Sequence, residues 1–142
     1  METHLPGDGA QPCIPGYRLW QLCRSGARKA SGGIAVLVHE RFDAGPVSLW
    51  EPDGQQAASP YHFWLHFGGG RHRPTPLFLA AAYLPPYRSP YGLKSPQELD
   101  DYVSLVGDQV AAALATHGGA DVMYVGDTNG HMGSLPDWEV LA

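Results

Sequence analysis

Apolar residues fall in short runs punctuated by glycine and proline, a spacing that predicts a sheet. Gly32-Gly33 opens Ile34-Ala35-Val36-Leu37-Val38, a continuous apolar run of strand length and composition. Val47 to Trp50 is a second, short candidate closed by Pro52-Asp53-Gly54, and Tyr61 to Phe67 a third, bounded by Pro60 and Gly68-Gly69-Gly70. Leu77 to Tyr83 is a fourth, which Pro85-Pro86 stops because proline cannot donate to a ladder. Tyr17 to Leu22 is a shorter apolar stretch inside the Gly- and Pro-rich segment 5–33. Turn chemistry at this spacing points to a largely antiparallel sheet.

The period then changes. Ser95-Pro96-Gln97-Glu98 predicts a helix start: Ser95 as N-cap, Pro96 at the first helical position, Glu98 completing a capping box. Leu99, Tyr102, Val103, Val106, Val110 and Leu114 recur at helical spacing and predict one apolar face. Glu98, Asp100 and Asp101 crowd the first turns, where the helix dipole favours acids. His117 and Gly118-Gly119 end the helix, and Asp121 to Gly126 is the last strand candidate. A helix and its following strand after four strands predict a mixed α/β (α+β) domain with one sheet face covered by a helix.

Composition narrows the class. With 142 residues, 44% hydrophobic and 16% charged, the chain is of a size and composition for one globular domain. No apolar run approaches the roughly 20 residues of a membrane helix. Met1-Glu2-Thr3-His4 has neither the basic nor the apolar region of a secretory signal, so an intracellular location, nucleus or cytoplasm, is the default. Cys13 and Cys23 lie ten apart with no CxxC partner, which argues against zinc and leaves a disulfide open. Net charge is −5, and the charges are segregated: all nine Lys and Arg lie between Arg18 and Lys94, while eight of fourteen acids fall from Glu98 onward. The basic residues form no broad footprint of the kind a nonspecific nucleic-acid binder shows; the candidates are Arg24, Arg28 and Lys29, and the Arg71-His72-Arg73 cluster.

Candidate chemistry concentrates after the last strand. Gly126-Asp127-Thr128-Asn129-Gly130-His131 follows the run Val122-Met123-Tyr124-Val125, so a carboxylate and a carboxamide stand together at a strand end. Asp can orient a water or a hydrated cation, and Asn can donate to a phosphate oxygen while accepting elsewhere. The plainer alternative is an Asx-rich turn. Glu2 at the start and Tyr83-Leu84-Pro85 at the end of the fourth strand add a hard oxygen donor and a phenol. His62 and His66 flank Trp64 on one strand face, a pattern better suited to layer contact than to a metal pair.

With these segments in place, the chain resembles the endonuclease/exonuclease/phosphatase superfamily, the deoxyribonuclease-I-like fold. That family carries a Gln-Glu-Thr-like motif, here Met1-Glu2-Thr3-His4; a Gly-Gly-Ile-Ala-Val-type strand, here Gly32 to Val36; a Tyr-x-Pro strand end, here Tyr83 to Pro85; and a Gly-Asp-x-Asn motif followed by His, here Gly126 to His131. The matches occur in family order, and the pattern is most similar to the endonuclease domains of non-LTR retroelements. The resemblance implies a layered α-β-β-α sandwich, incomplete here, with residues 1–142 as a partial domain. The family's first strand, bearing an Asn, would precede Glu2, and its Ser-Asp-His motif would follow residue 142. It implies Glu2 as the ligand of Mg²⁺, with Mn²⁺ an alternative. Asp127 would orient or deprotonate the attacking water, Asn129 would hold the scissile phosphate, and Tyr83 would support the phosphate or leaving oxygen. Arg88 would lie near where some family nucleases contact DNA. The implied activity is Mg²⁺-dependent phosphodiester hydrolysis with DNA as partner. The alternatives are a phosphatase or phosphodiesterase acting on a small or lipid phosphoester, and an inactive remnant or binding module of the same fold.

Overall fold

The computed structural model describes residues 2–3, 13–22, 33–52 and 59–129, arranged as two sheets and one helix. The strands are β1 (Glu2–Thr3), β2 (Tyr17–Leu22), β3 (Gly33–His39), β4 (Val47–Trp50), β5 (His62–Phe67), β6 (Leu77–Tyr83) and β7 (Asp121–Asp127), with helix α1 (Pro96–Thr116) between the last two. One sheet has the order β1-β3-β2, the other β4-β5-β6-β7. Every pairing is antiparallel except β6 with β7, which α1 connects as a parallel crossover. The expected strands and helix are present within a residue or two. Tyr17–Leu22, expected only as an apolar stretch, is a full strand paired with β3 along its length.

Side-chain alternation explains the layering. On β5 and β6, Leu65, Phe67, Leu77 and Leu79 pack toward Trp20, Val36 and Val38 of the three-stranded sheet. On the opposite face Trp64, Phe78, Ala80, Val122 and Tyr124 pack against Val110 and Ala113 of α1. The central strand β6 is therefore covered on both faces, which is why it reads as a nearly continuous apolar run, LFLAAAY. A second helical layer is not among the described residues.

The start of α1 follows the expected chemistry with one change. Ser95 is the N-cap, its Oγ accepting from the Glu98 N–H at 3.2 Å. The Glu98 carboxylate accepts from the Lys94 N–H at 2.6 Å, one residue before the cap rather than from the cap itself. The expected apolar face needs a correction. Leu99, Val103 and Leu114 are exposed, whereas the buried helix positions are Tyr102, Gln109 and Ala113. The apolar stripe is wider than the sheet beneath it, and a glutamine occupies its centre because the sheet supplies bonds for its side chain.

Candidate functional site

The parallel register of β6 and β7 brings two segments that are far apart in sequence to one strand end. Tyr83 is the register partner of Asp127, and the Leu84 N–H donates to the Asp127 carbonyl at 2.8 Å. Leu77 and Leu79 face the three-stranded sheet, so alternation places Tyr83 on that same face; Val122 and Tyr124 face α1, so Asp127 lies on the side of Tyr83. Tyr83 is half-buried and Asp127 exposed. Along this face of β7, Met123 and Val125 are also exposed, so the surface leading to Asp127 is open.

Local chemistry fixes the turn. Gly126 has φ +152°, and a Cβ there would run into the carbonyl of Ala82, so only glycine lets β7 lie this close to β6 immediately before Asp127. Asp127 Oδ1 accepts from the Asn129 N–H at 2.8 Å, an Asx turn. Asn129 occupies the left-handed region at φ +47°, which Asn tolerates better than most side chains. Its Nδ2 donates to the Leu84 carbonyl at 2.9 Å, tying the turn back to the end of β6. The expected Asx turn is present, and the bonds that shape it also orient the carboxamide. One amide proton and the carbonyl oxygen of Asn129 are not used by that bond.

Glu2 lies on the other sheet. It is the register partner of Ile34, a position on the face of β3 that packs toward the four-stranded sheet. The side chain of Glu2, like His131 and Cys23, lies outside the described residues. Among the described residues no group of three or more His, Cys, Asp and Glu could hold a metal ion. The donors that are described, the Asp127 carboxylate and the Asn129 carboxamide, are hard oxygens of the kind Mg²⁺ accepts alongside water and substrate. They fit such an ion only as part of a set to which Glu2 would belong.

The segment following β6 borders this end. Arg88 is held at φ +63°, with its N–H donating to the Leu93 carbonyl and its guanidinium over the Tyr87 ring at 5.2 Å. Arg71 and Arg73 lie elsewhere: Arg73 pairs with Asp121 at 2.5 Å, at the opposite end of β7. The seven-residue strands put roughly 20 Å between that end and Asp127. The basic cluster therefore does not border the candidate site.

Helix-facing residues form a second polar cluster that the sequence did not single out as a whole. His62 Nε2 and Gln109 Oε1 are 2.6 Å apart, and Trp64 Nε1 donates to the same oxygen at 2.8 Å. Tyr102 Oη lies 3.1 Å from His62 Nδ1 and 2.9 Å from Tyr124 Oη. Burial holds His62 below the ordinary imidazole range, opposed by its bond to Gln109, and holds Tyr102 above the ordinary phenol range. His66 stacks on His117 with ring centroids 5.4 Å apart; burial and then the neighbouring imidazole lower it. The two histidines of β5 thus contact the helical layer. The available sequence signal was a polar Gln109 among apolar helix positions. No helix among the described residues is long and apolar enough to cross a membrane. No family model matches this chain, and no curated protein or solved structure matches it either.

Proposed function

We propose that the ends of β6 and β7 form part of a phosphodiester-hydrolysing site of the deoxyribonuclease-I-like kind, with DNA as the substrate class and Mg²⁺ or Mn²⁺ as cofactor. The supporting observation is the meeting of Tyr83, Asp127 and Asn129 at one open strand end, in bonds that orient the carboxamide. The helix and two sheets are compatible with the four-layer sandwich that this reading expects, which supports it at the level of a mixed α/β fold.

In this reading Asp127 accepts a hydrogen bond from water and takes its proton as the water oxygen attacks phosphorus. The amide of Asn129 donates to a phosphate oxygen, where negative charge accumulates as the P–O bond to the leaving oxygen breaks. Tyr83 supports the phosphate or the leaving oxygen, which departs as an alcohol after protonation from solvent. Glu2 would hold the Mg²⁺ ion, which when bound supplies Lewis-acid and charge-neutralising chemistry.

The test is plasmid nicking by the purified chain with Mg²⁺, with EDTA, and with Asp127→Ala. Nicking that requires Mg²⁺ and falls by on the order of 10²–10³ in the variant is the expected result. Nicking equal in both proteins would come from a contaminant and count against the site. Absence of nicking together with Mg²⁺-dependent, Asp127-dependent release of phosphate from small phosphoesters would move the substrate class. Inertness toward both would favour a remnant or binding module.

A further inference from the structure

The cluster between α1 and the sheet has a single consistent pattern of protons. Trp64 Nε1 can only donate, so the atom of Gln109 that it meets is the carbonyl oxygen. That oxygen also faces His62 Nε2, so Nε2 must carry a proton, and in the neutral ring Nδ1 is then an acceptor. Tyr102 must donate its hydroxyl proton to Nδ1, which leaves the Tyr102 oxygen to accept from the Tyr124 hydroxyl. The chain therefore runs in one direction, from Tyr124 on β7 through Tyr102 on α1 to His62 on β5. His62 is 3% exposed, Tyr102 8% and Gln109 4%, so water does not readily replace the bonds His62 makes to Tyr102 and Gln109.

Protonating His62 reverses the chain. Nδ1 becomes a donor, Tyr102 must accept from it and donate to Tyr124, and the Tyr124 proton has to find another acceptor. Tyr124 and Tyr102 line a cavity of about 370 Å³ together with Leu84, Leu99, Val103, Val106 and Thr128, and among these other described residues only Thr128 has a polar side chain. Among the described residues, no carboxylate is hydrogen-bonded to the ring as a counter-ion for the new charge. The groups packed around the ring are Trp64 on its own strand, Tyr102 and Gln109 from α1, Tyr124 from β7 and, opposite on β6, Ala82; Tyr61 lies against Tyr102. The titratable members are all phenols. The helix acids Glu98, Asp101 and Asp108 are exposed, and none bonds to His62.

We propose that His62, Tyr102 and Tyr124 form a proton-operated latch between α1 and the four-stranded sheet, closed while His62 is neutral and loosened when it takes up a proton. The latch stands independently of the proposed hydrolysis. An unfolded chain takes up this proton around pH 6.5 while the native state resists it, so stability is full above that value and falls as pH drops below it. A single such proton raises the unfolding constant by up to tenfold per pH unit in that window.

The experiment is chemical denaturation of the full chain from pH 8 to pH 5, comparing wild type with His62→Gln, alongside imidazole ¹⁵N NMR of the wild type. The expected result is an acid-side loss of stability in wild type that is shallower in His62→Gln by up to tenfold per pH unit. NMR should find the Nε2–H tautomer at pH 8 and a His62 titration midpoint below that of free imidazole side chains, with protection factors of α1 amides falling as the ring titrates. Equal acid slopes in the two proteins would overturn the latch. If His62→Gln does not fold, the NMR decides alone: an Nδ1–H tautomer, an ordinary or raised midpoint, or α1 protection that ignores the titration would each overturn it.

Discussion

At the Leu77–Asp121 end of the four-stranded sheet, polar groups bond to one another; at the Tyr83–Asp127 end they are held in place while Asp127 remains exposed. At the first end, His72 Nδ1 accepts from the Asp43 N–H and the His72 N–H donates back to the Asp43 carbonyl, both at 2.8 Å. The Asp43 carboxyl is held below its ordinary range by backbone N–H groups of Arg71 and Gly45. Gly45 and Gly69 both have positive φ, and Gly69 donates to the Ala44 carbonyl in a crossing too tight for side chains. Arg73 completes the closure on Asp121. At the other end, two side-chain bonds define the Asp127–Asn129 turn, and its carboxylate and carboxamide keep bonding capacity. The difference separates an end closed by its own bonds from one whose polar side chains keep bonding capacity. Arg73 at the closed end is bonded within the fold, so sequence charge alone is a poor guide to where a polyanion would sit.

Substitutions at the two ends should have opposite signatures. The largest expected effect is on activity: Asp127→Ala should lower Mg²⁺-dependent nicking by on the order of 10²–10³ and lower the melting temperature only slightly, because the one bond lost, to the Asn129 N–H, lies in an exposed turn. Gly69→Ala should do the reverse, costing about 1–3 kcal/mol from the positive φ alone, with more from contact with the Pro74 carbonyl, while nicking below the melting temperature persists. A denaturant midpoint unchanged in Gly69→Ala would show that the closed end is not rigid. Ser95→Ala should cost about 1 kcal/mol through loss of the α1 cap, read by the same titration. Arg73→Ala is the mildest, with at most about 1 kcal/mol expected and less at high salt, because the Asp121 side chain is 60% exposed. A larger, salt-insensitive loss would mean that the pair does more than close the loop.

The strands were legible wherever a continuous apolar run met glycine or proline, as at Ile34 to Val38 and Leu77 to Tyr83. β2 was less so, since Arg18 and Gln21 interrupt its apolar residues and its identity comes from pairing with β3. The helix was legible from Ser95, Pro96 and the spacing of apolar residues, but not which of its apolar residues would be covered. Val103 satisfies the pattern and is 60% exposed, while Gln109 breaks it and is buried, because His62 and Trp64 meet its oxygen across the layer. Asp127 and Asn129 stood out through local turn chemistry, and Tyr83 through family resemblance. Their adjacency depends on a parallel crossover over α1, which no local signal encodes. The tie from Asn129 to the Leu84 carbonyl was not legible for the same reason.

The most direct measurement sets Asp127→Ala beside Gly69→Ala, with nicking and melting followed in each at one Mg²⁺ concentration. A functional site at the open end predicts a stable, inactive Asp127→Ala and a less stable, active Gly69→Ala. An Asp127→Ala protein that nicks plasmid as the wild type does, or two variants that lose activity only in proportion to their loss of stability, would contradict it.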